Sequence, residues 1–288
     1  MLILIADAFD KFLPEKLSIF GEVTTDIERL GEADVVLIRS KTKATKDYID
    51  KAKNMKLIIR GGVGMDNIDI PYCKEKGIVA TNTPRSSAIA VAELAFCLML
   101  STPNNLCFYD STMKNGEWAK KTKRHELYGK TLCLLGIGNI ARKVAERAHA
   151  FGMKVVAYDI FKIPELENEN MRYAEMDELF EVSDFISLHT PSIDGRPLIN
   201  AETIAKMKNG VVIINTSRGN NVDEQALLDA LNSGKVFGAG LDVFAEEPAK
   251  NVELYSHPRV SCTPHIGAST SEAQKRIGAE IVDIITKF

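Results

Sequence analysis

Short aliphatic and β-branched runs recur along the chain, separated by stretches in which apolar positions return every three or four residues. That alternation is the pattern of parallel sheets whose crossovers are helices. Four early strands are predicted at residues 2–6, 35–38, 57–60 and 78–80, with amphipathic helices at 46–52 and 70–76 and Gly77 as a helix stop. After Thr83-Pro84, residues 88–100 are apolar on nearly every face, so a helix there must be buried between layers; we read it as joining two domains. A second series of strands is predicted at 131–135, 154–158, 185–188, 211–215, 238–243 and 260–262, enough for a complete doubly wound sheet. In the tail, Ile277, Ile281, Ile284 and Ile285 fall at helical spacing behind a capped start at Ser271-Glu-Ala-Gln274, and this helix can pack back onto the first domain.

Composition adds limits to this picture. The 288 residues, 45% hydrophobic and 26% charged, suit two globular domains of ordinary size. With Lys+Arg 36 against Asp+Glu 39 the formal net charge is −3, so no global basic field exists for nucleic acid or an anionic membrane, and an anionic ligand needs a local cluster. The N-terminus is apolar for only a few residues before Asp7 and Asp10, which reads as a first strand and not as a signal peptide. The longest nearly apolar run carries Glu93 and is short for a bilayer, so no membrane span is expected. Five cysteines, at 73, 97, 107, 133 and 262, are odd in number and lack paired metal spacing; we expect small apolar residues in a reducing cytoplasm, with no metal site.

The candidate chemistry lies in the second half. Gly136-Ile-Gly138-Asn139-Ile140-Ala141 follows a buried-strand pattern and opens a helical run, which is the setting a dinucleotide-binding turn requires. Gly136 permits the tight turn, Gly138 the close approach of a pyrophosphate, and Ala141 the packing of helix on strand. Asp159 ends the next strand, where an acid grips ribose hydroxyls and repels a 2′-phosphate; the reading is NAD over NADP. Three polar residues follow later strands: Arg218, Glu247 and His265. Arg218 suits a carboxylate clamp, His265 exchange of an alcohol proton, and Glu247 orientation of the imidazole, with Glu246 as the adjacent rival acid.

At these residues the sequence resembles the D-isomer-specific 2-hydroxyacid dehydrogenases, through Asn215-Thr-Ser-Arg218-Gly, Gly240-Leu-Asp-Val-Phe-Ala-Glu-Glu247-Pro and Thr263-Pro-His265-Ile-Gly-Ala. Arg39-Ser-Lys-Thr-Lys, Arg60-Gly-Gly-Val-Gly-Met-Asp-Asn67-Ile-Asp, Asn82-Thr-Pro and Ala92-Glu-Leu extend the likeness over essentially the whole chain, toward the branch whose substrate carries a phosphate. The resemblance implies a two-domain α/β enzyme, two doubly wound parallel-sheet domains: a flavodoxin-like substrate domain at 1–98 and 267–288, and a Rossmann-type NAD domain at 99–266. It implies catalysis by Arg218, Glu247 and His265, the acid directly before proline being favoured over Glu246. NAD contacts are implied at Gly136, Gly138, Asn139, Ile140, Asp159, Thr190, Ser217, Arg218, Asp242, His265, Gly267 and Ala268. Substrate contacts are implied at Arg39, Ser40, Arg60, Gly61, Gly62, Val63, Arg218 and His265, the 60–63 loop offering backbone N–H groups and Arg39 and Arg60 the cations for a phosphate. The expected partners are an anionic, phosphorylated 2-hydroxy acid and a second copy of the chain in a homodimer. The chain departs from the family pattern at Asn139, Ala141 and Ser87.

Plainer readings stand beside these. His125, His149, His189 and His257 read as surface or satisfied-core histidines, and His189 as a possible NAD neighbour. Glu93 reads as a buried hydrogen-bond anchor, and Lys120-Lys-Thr-Lys-Arg124 as a solvated face near a subunit interface. Arg218 can also be a surface arginine at a strand end, the usual fate of arginine, and Arg39 can simply flank a buried strand. An NADH-sensing interaction protein is the alternative of a different class, disfavoured by the absence of a basic patch.

Overall fold

A computed structural model describes residues 1–120, 123–192 and 195–288; Lys121 and Thr122 of the basic run lie outside the described residues. The chain divides into two compact units, Met1–Ala90 with Ala268–Phe288, and Val91–Gly267.

In the first unit β1 (Leu2–Ile5), β2 (Glu22–Thr24), β3 (Val35–Ile38), β4 (Leu57–Arg60) and β5 (Val79–Asn82) form an all-parallel sheet of order β2-β1-β3-β4-β5. Helices α1 (Leu13–Leu17), α2 (Lys46–Lys51) and α3 (Ile70–Glu75) connect them. Both β1 and β3 are buried along their whole length, which is why they read as continuous aliphatic runs: side chains of both faces meet a helical layer. Leu4, Val36 and Ile58 pack with Ile49, Ala52 and Cys73 on one face. On the other, Ile3, Leu37 and Ile59 pack with Leu13, Leu17, Ile277, Ile281 and Ile285. The sequence did not signal β2, a three-residue edge strand with no buried position.

The second unit contains α4 (Ala88–Ser101) from Val91 onward, α5 (Leu106–Lys114), β6 (Thr131–Leu135), α6 (Asn139–Ala150), β7 (Lys154–Tyr158) and β8 (Met171–Tyr173). It continues through α7 (Met176–Val182), β9 (Phe185–Leu188), α8 (Ala201–Lys206), β10 (Val211–Asn215), α9 (Glu224–Ser233), β11 (Val236–Leu241), α10 (Val252–Tyr255) and β12 (Val260–Cys262). The parallel sheet has seven strands in the order β12-β11-β10-β9-β6-β7-β8, one more than expected. The extra one, β8, is again a three-residue edge strand, broken by exposed Arg172. The C-terminal helix α11 (Ser271–Lys287) is capped by Thr270, whose hydroxyl accepts the Ala273 N–H at 3.1 Å, and lies in the first unit.

Both domain boundaries shift from those read in the sequence. Ala92, Ala95, Phe96 and Leu98 pack with Leu132, Leu134, Ala141 and Val144, which draws the chain from Val91 into the second unit. Gly267 stays there too, because its N–H is held by buried Asp242 at 3.0 Å. Glu93 is also corrected: it is exposed and pairs with Arg147 at 3.0 Å, since α4 is not enclosed on that side. Of the cysteines Cys73 and Cys133 are buried, whereas Cys97, Cys107 and Cys262 are exposed. Among the described residues no single helix is long and apolar enough to cross a membrane.

Candidate active site

Every strand of the second unit's sheet is parallel, so the loops after β6, β7, β9, β10, β11 and β12 leave from one edge. These loops hold the candidate residues, as expected for ligands at the carboxyl ends of such a sheet. At the turn after β6, Gly136 has φ +89°, and a Cβ there would lie 2.8 Å from the His189 carbonyl oxygen; only glycine fits without strain. At Gly138 a Cβ would meet nothing within 4 Å, so the space beside the start of α6 is open. Gly138 is the N-cap of α6 and supplies no side-chain cap, so the positive end of the helix faces the space beside the glycine turn. Asp159, after β7, is braced by the N–H groups of Ile137 (2.8 Å) and Phe161 (3.0 Å), tying the acid to the glycine turn. Glycine cradle, open helix start and fixed acid fit a dinucleotide.

His189 and Thr190 follow β9. Burial pushes the His189 imidazole down to about 4, and its Nε2 lies 2.9 Å from Ser187 Oγ, which is a satisfied neutral ring. His125 stacks edge-on against Phe237 and His149 meets the Asn170 carbonyl, which also agrees with the plain reading.

After β10, Asn215 shapes the turn: its Oδ1 accepts from the Ser217 N–H (3.0 Å) and hydroxyl (2.8 Å), and its Nδ2 donates to the Arg218 carbonyl (2.8 Å). Arg218 Nη1 donates to the Ser217 carbonyl at 2.7 Å. Gly219 then passes so near the next loop that a Cβ would lie 1.9 Å from Phe244 backbone atoms. That close approach sets the Arg218 turn against the loop carrying Glu247. Asn221, fully buried, donates to the Thr190 carbonyl (3.0 Å) and Ser217 Oγ (3.1 Å), locking the loops after β9 and β10 together. The sequence did not single out Asn221, because in Gly219-Asn-Asn221 a buried asparagine is indistinguishable from an exposed turn residue.

Asp242, buried after β11, has both carboxylate oxygens engaged by the chain itself. Oδ1 accepts from Thr263 Oγ1 (2.6 Å) and the Ile266 N–H (2.8 Å), and Oδ2 from the Gly267 N–H (3.0 Å). It thus shapes the loop that carries His265. His265 sits at φ +52°, rare for a non-glycine residue, with its N–H on the Asp242 carbonyl at 2.8 Å. Its Nδ1 lies 2.7 Å from Glu247 Oε2. Burial alone would raise the Glu247 carboxyl, but the His265 bond and charge, the Phe244 N–H and the Arg218 charge together hold it below the usual carboxylate range. Glu246, the rival acid, is exposed and pairs with Lys250 instead. Arg218, Glu247 and His265 are therefore brought together, and His265 Nε2 is the ring nitrogen not turned to Glu247.

The sequence from Phe96 to the end of this site decides its kinship. The NAD binding domain of the D-isomer specific 2-hydroxyacid dehydrogenases matches residues 96–267. The chain belongs to this family. As in the other NAD-dependent dehydrogenases of the family, its second unit is an NAD-binding domain with a Rossmann-type sheet. A hydroxypyruvate reductase of Thermotoga maritima is 52% identical over 263 residues, covering 90% of this chain and 85% of that protein. A D-3-phosphoglycerate dehydrogenase of Methanocaldococcus jannaschii is 45% identical over 266 residues, 91% of this chain but 51% of that protein; the chain spans about half of such relatives. Among solved structures, a D-lactate dehydrogenase of Aquifex aeolicus with NAD and lactic acid matches with TM-score 0.89 and 33% identity, over 100% of this chain and 95% of that one.

In the first unit Arg39 follows β3 and Arg60 ends β4, on neighbouring parallel strands. Both are half-buried. Arg60 folds back over Gly62, where a Cβ would lie 2.8 Å from Arg60 Nη1. Two of the amides expected to serve the substrate from the 60–63 loop, those of Gly61 and Gly62, bond within the chain. The Gly61 N–H is donated to the Ile38 carbonyl and the Gly62 N–H to the Arg60 carbonyl, each at 2.9 Å, because the turn closes on the sheet edge. Ser40 and Val63 are exposed, and Ala268 falls in the first unit, its carbonyl held by Gln274.

Proposed function

We propose that this dehydrogenase oxidises 3-phospho-D-glycerate to 3-phosphohydroxypyruvate with NAD, the entry to serine, in a reducing cytoplasm. The observation that carries the chemistry is the 2.7 Å contact of His265 Nδ1 with Glu247, beside Arg218. The phosphate reading is supported by the two half-buried cations, Arg39 and Arg60, ending adjacent strands of the first unit. Neutral His265 takes the C2 hydroxyl proton on Nε2 as the carbonyl forms. Glu247 is the counter-ion for the imidazolium that results, and Arg218 holds the substrate carboxylate by a bidentate contact. Bound NAD supplies the acceptor for the C2 hydride. Gly136, Gly138 and the start of α6 would hold its pyrophosphate and Asp159 its ribose.

Likeness to the Thermotoga hydroxypyruvate reductase favours a second reading, the same chemistry on hydroxypyruvate or glyoxylate. A panel of 3-phospho-D-glycerate, D-glycerate and glycolate under saturating NAD separates the two. At least tenfold higher kcat/KM for the phosphorylated acid supports the first, and equal efficiency removes the phosphate argument.

We also read the chain as a homodimer. A groove of about 750 Å³ in the second unit is lined by Phe96, Leu100, Leu106, Tyr109 and Phe151, and exposed Trp118 and Met113 belong to the same unit. Light scattering at monomer mass would refute this.

A further inference from the structure

The cation Arg39 is held by a clamp made from two residues that the catalytic reading does not use. Asp7 leaves the end of β1, the strand beside β3 and the point at which the strand order of this sheet reverses. Its carboxylate takes three hydrogen bonds from one short loop. Oδ2 accepts the backbone N–H groups of Arg39 (2.5 Å) and Thr42 (3.1 Å), and Oδ1 accepts the Thr42 hydroxyl (2.7 Å). Asn67 holds the same two residues from their carbonyl side, its Nδ2 donating to the Arg39 and Thr42 carbonyls, each at 2.6 Å. Asn67 is itself anchored, its carbonyl accepting the Ala44 N–H at 2.8 Å. The backbone is thus pinned at both ends of residues 39–42, on the donor side and on the acceptor side, and exposed Ser40 and Lys41 lie between the pins.

The side chain of Arg39 is placed by the same device. Its Nη1 donates to the Ala8 carbonyl at 3.3 Å, in the loop that Asp7 begins. Burial lowers the guanidinium's pKa, and the neighbouring Asp7 charge counters it. A half-buried cation kept beside one carboxylate, with that carboxylate's oxygens already occupied by backbone and hydroxyl donors, retains guanidinium donors for a second anion.

We propose that Asp7 and Asn67 are positioning residues for substrate recognition, setting Arg39 and the 39–42 loop to receive the anionic group of the substrate remote from C2. This rests on the reading of Arg39 as a substrate cation. Neither residue touches the reacting atoms; each acts through the loop it pins.

The test is a kinetic cycle on the full chain with 3-phospho-D-glycerate, and with 3-phosphohydroxypyruvate in the reverse direction. Asp7→Asn and Asn67→Ala should each raise KM for the substrate about tenfold, equivalent to ~1.4 kcal/mol, with kcat within about threefold and NADH affinity unchanged. Thr42→Val, which removes only the hydroxyl bond, should raise it about two- to threefold, roughly 0.5 kcal/mol, and carries the test if Asp7→Asn does not fold. The cycle isolates the route of action: in an Arg39→Gln background Asp7→Asn should add less than about twofold, because residues acting through one contact are non-additive. A general loss of packing would instead give the same factor in both backgrounds and lower kcat and NADH affinity too, which overturns the proposal. If Arg39→Gln raises KM and Asp7→Asn, Asn67→Ala and Thr42→Val do not, the clamp is refuted while the cation stands. If Arg39→Gln itself leaves KM unchanged, the anion reading beneath the proposal fails and the proposal with it.

Discussion

Replacing Glu247 by glutamine tests the acid's role with little change of shape. The wild-type contact, His265 Nδ1 to Glu247 Oε2 at 2.7 Å, joins side chains that are 37% and 39% exposed. A hydrogen bond to a charged partner contributes ~1.5–3 kcal/mol, and exposure of more than a third on each side screens it to the lower end or below, about 1–2 kcal/mol. The amide oxygen of glutamine can still accept from Nδ1, so the ring stays oriented and what is lost is stabilisation of the positive charge that develops as the proton arrives. That loss belongs to the transition state, so kcat and kcat/KM should fall together, by about 5- to 30-fold, with KM nearly constant. Initial rates of NADH formation under saturating NAD measure kcat, and NADH fluorescence titration measures cofactor affinity, expected to be unchanged. Glu246→Gln is the control: that side chain pairs with Lys250 on the surface, and turnover should stay within about twofold, roughly 0.4 kcal/mol. The reasoning is refuted if Glu247→Gln leaves kcat within twofold of wild type, if the loss appears in KM, or if Glu246→Gln has the larger effect.

Three further outcomes follow from the geometry. Gly136→Ala forces a Cβ to 2.8 Å from the His189 carbonyl at φ +89°, so NADH affinity should fall at least about tenfold and stability by ~1–3 kcal/mol, read by titration and thermal unfolding. Asp242→Asn replaces one of two fully used acceptor oxygens by a donor facing the chain's own donors, so Tm should drop by an amount equivalent to ~1–3 kcal/mol and kcat should fall with the misplaced His265 loop. A Tm equal to wild type would contradict that role. For His189 the folded imidazole is held at about 4 against 6.5 unfolded, so the unfolded chain binds the proton first. Its contribution is complete above pH 6.5 and is lost as pH falls toward 4, by about 3 kcal/mol in all, and is flat below. Chemical denaturation across that window should show a shallower acid slope for His189→Gln, and an unchanged slope would show the ring is not the source.

Both sheets were legible because buried parallel strands are written as aliphatic runs. The two strands that escaped, β2 and β8, are three-residue edges where one face meets water and the run is interrupted, at Glu22 and at Arg172. The glycine turn, Asp159 and the Arg218, Glu247 and His265 set were legible because each follows a strand whose end the pattern fixes. What the sequence did not show was how the loops are held. Asn221, Asp242 and Asp7 organise backbone groups far apart in the chain, and whether a polar residue after a strand is turned inward depends on partners that only the fold brings near. The amides of Gly61 and Gly62, expected to serve the substrate, bond within the chain for the same reason: the acceptor of the first is Ile38, on another strand. Glu93 was misplaced because an apolar helix flank on one side does not enclose a residue that projects from the other.

The most direct test of the account is turnover of 3-phospho-D-glycerate with NAD by the wild-type chain and by His265→Gln, with NADH binding measured on both. The account predicts NADH formation from the D-acid by the wild type, a kcat lower by at least about a hundredfold in the variant, and equal NADH affinity. Near-normal turnover by His265→Gln, or a wild-type chain that binds NADH and oxidises no D-2-hydroxy acid, would contradict it.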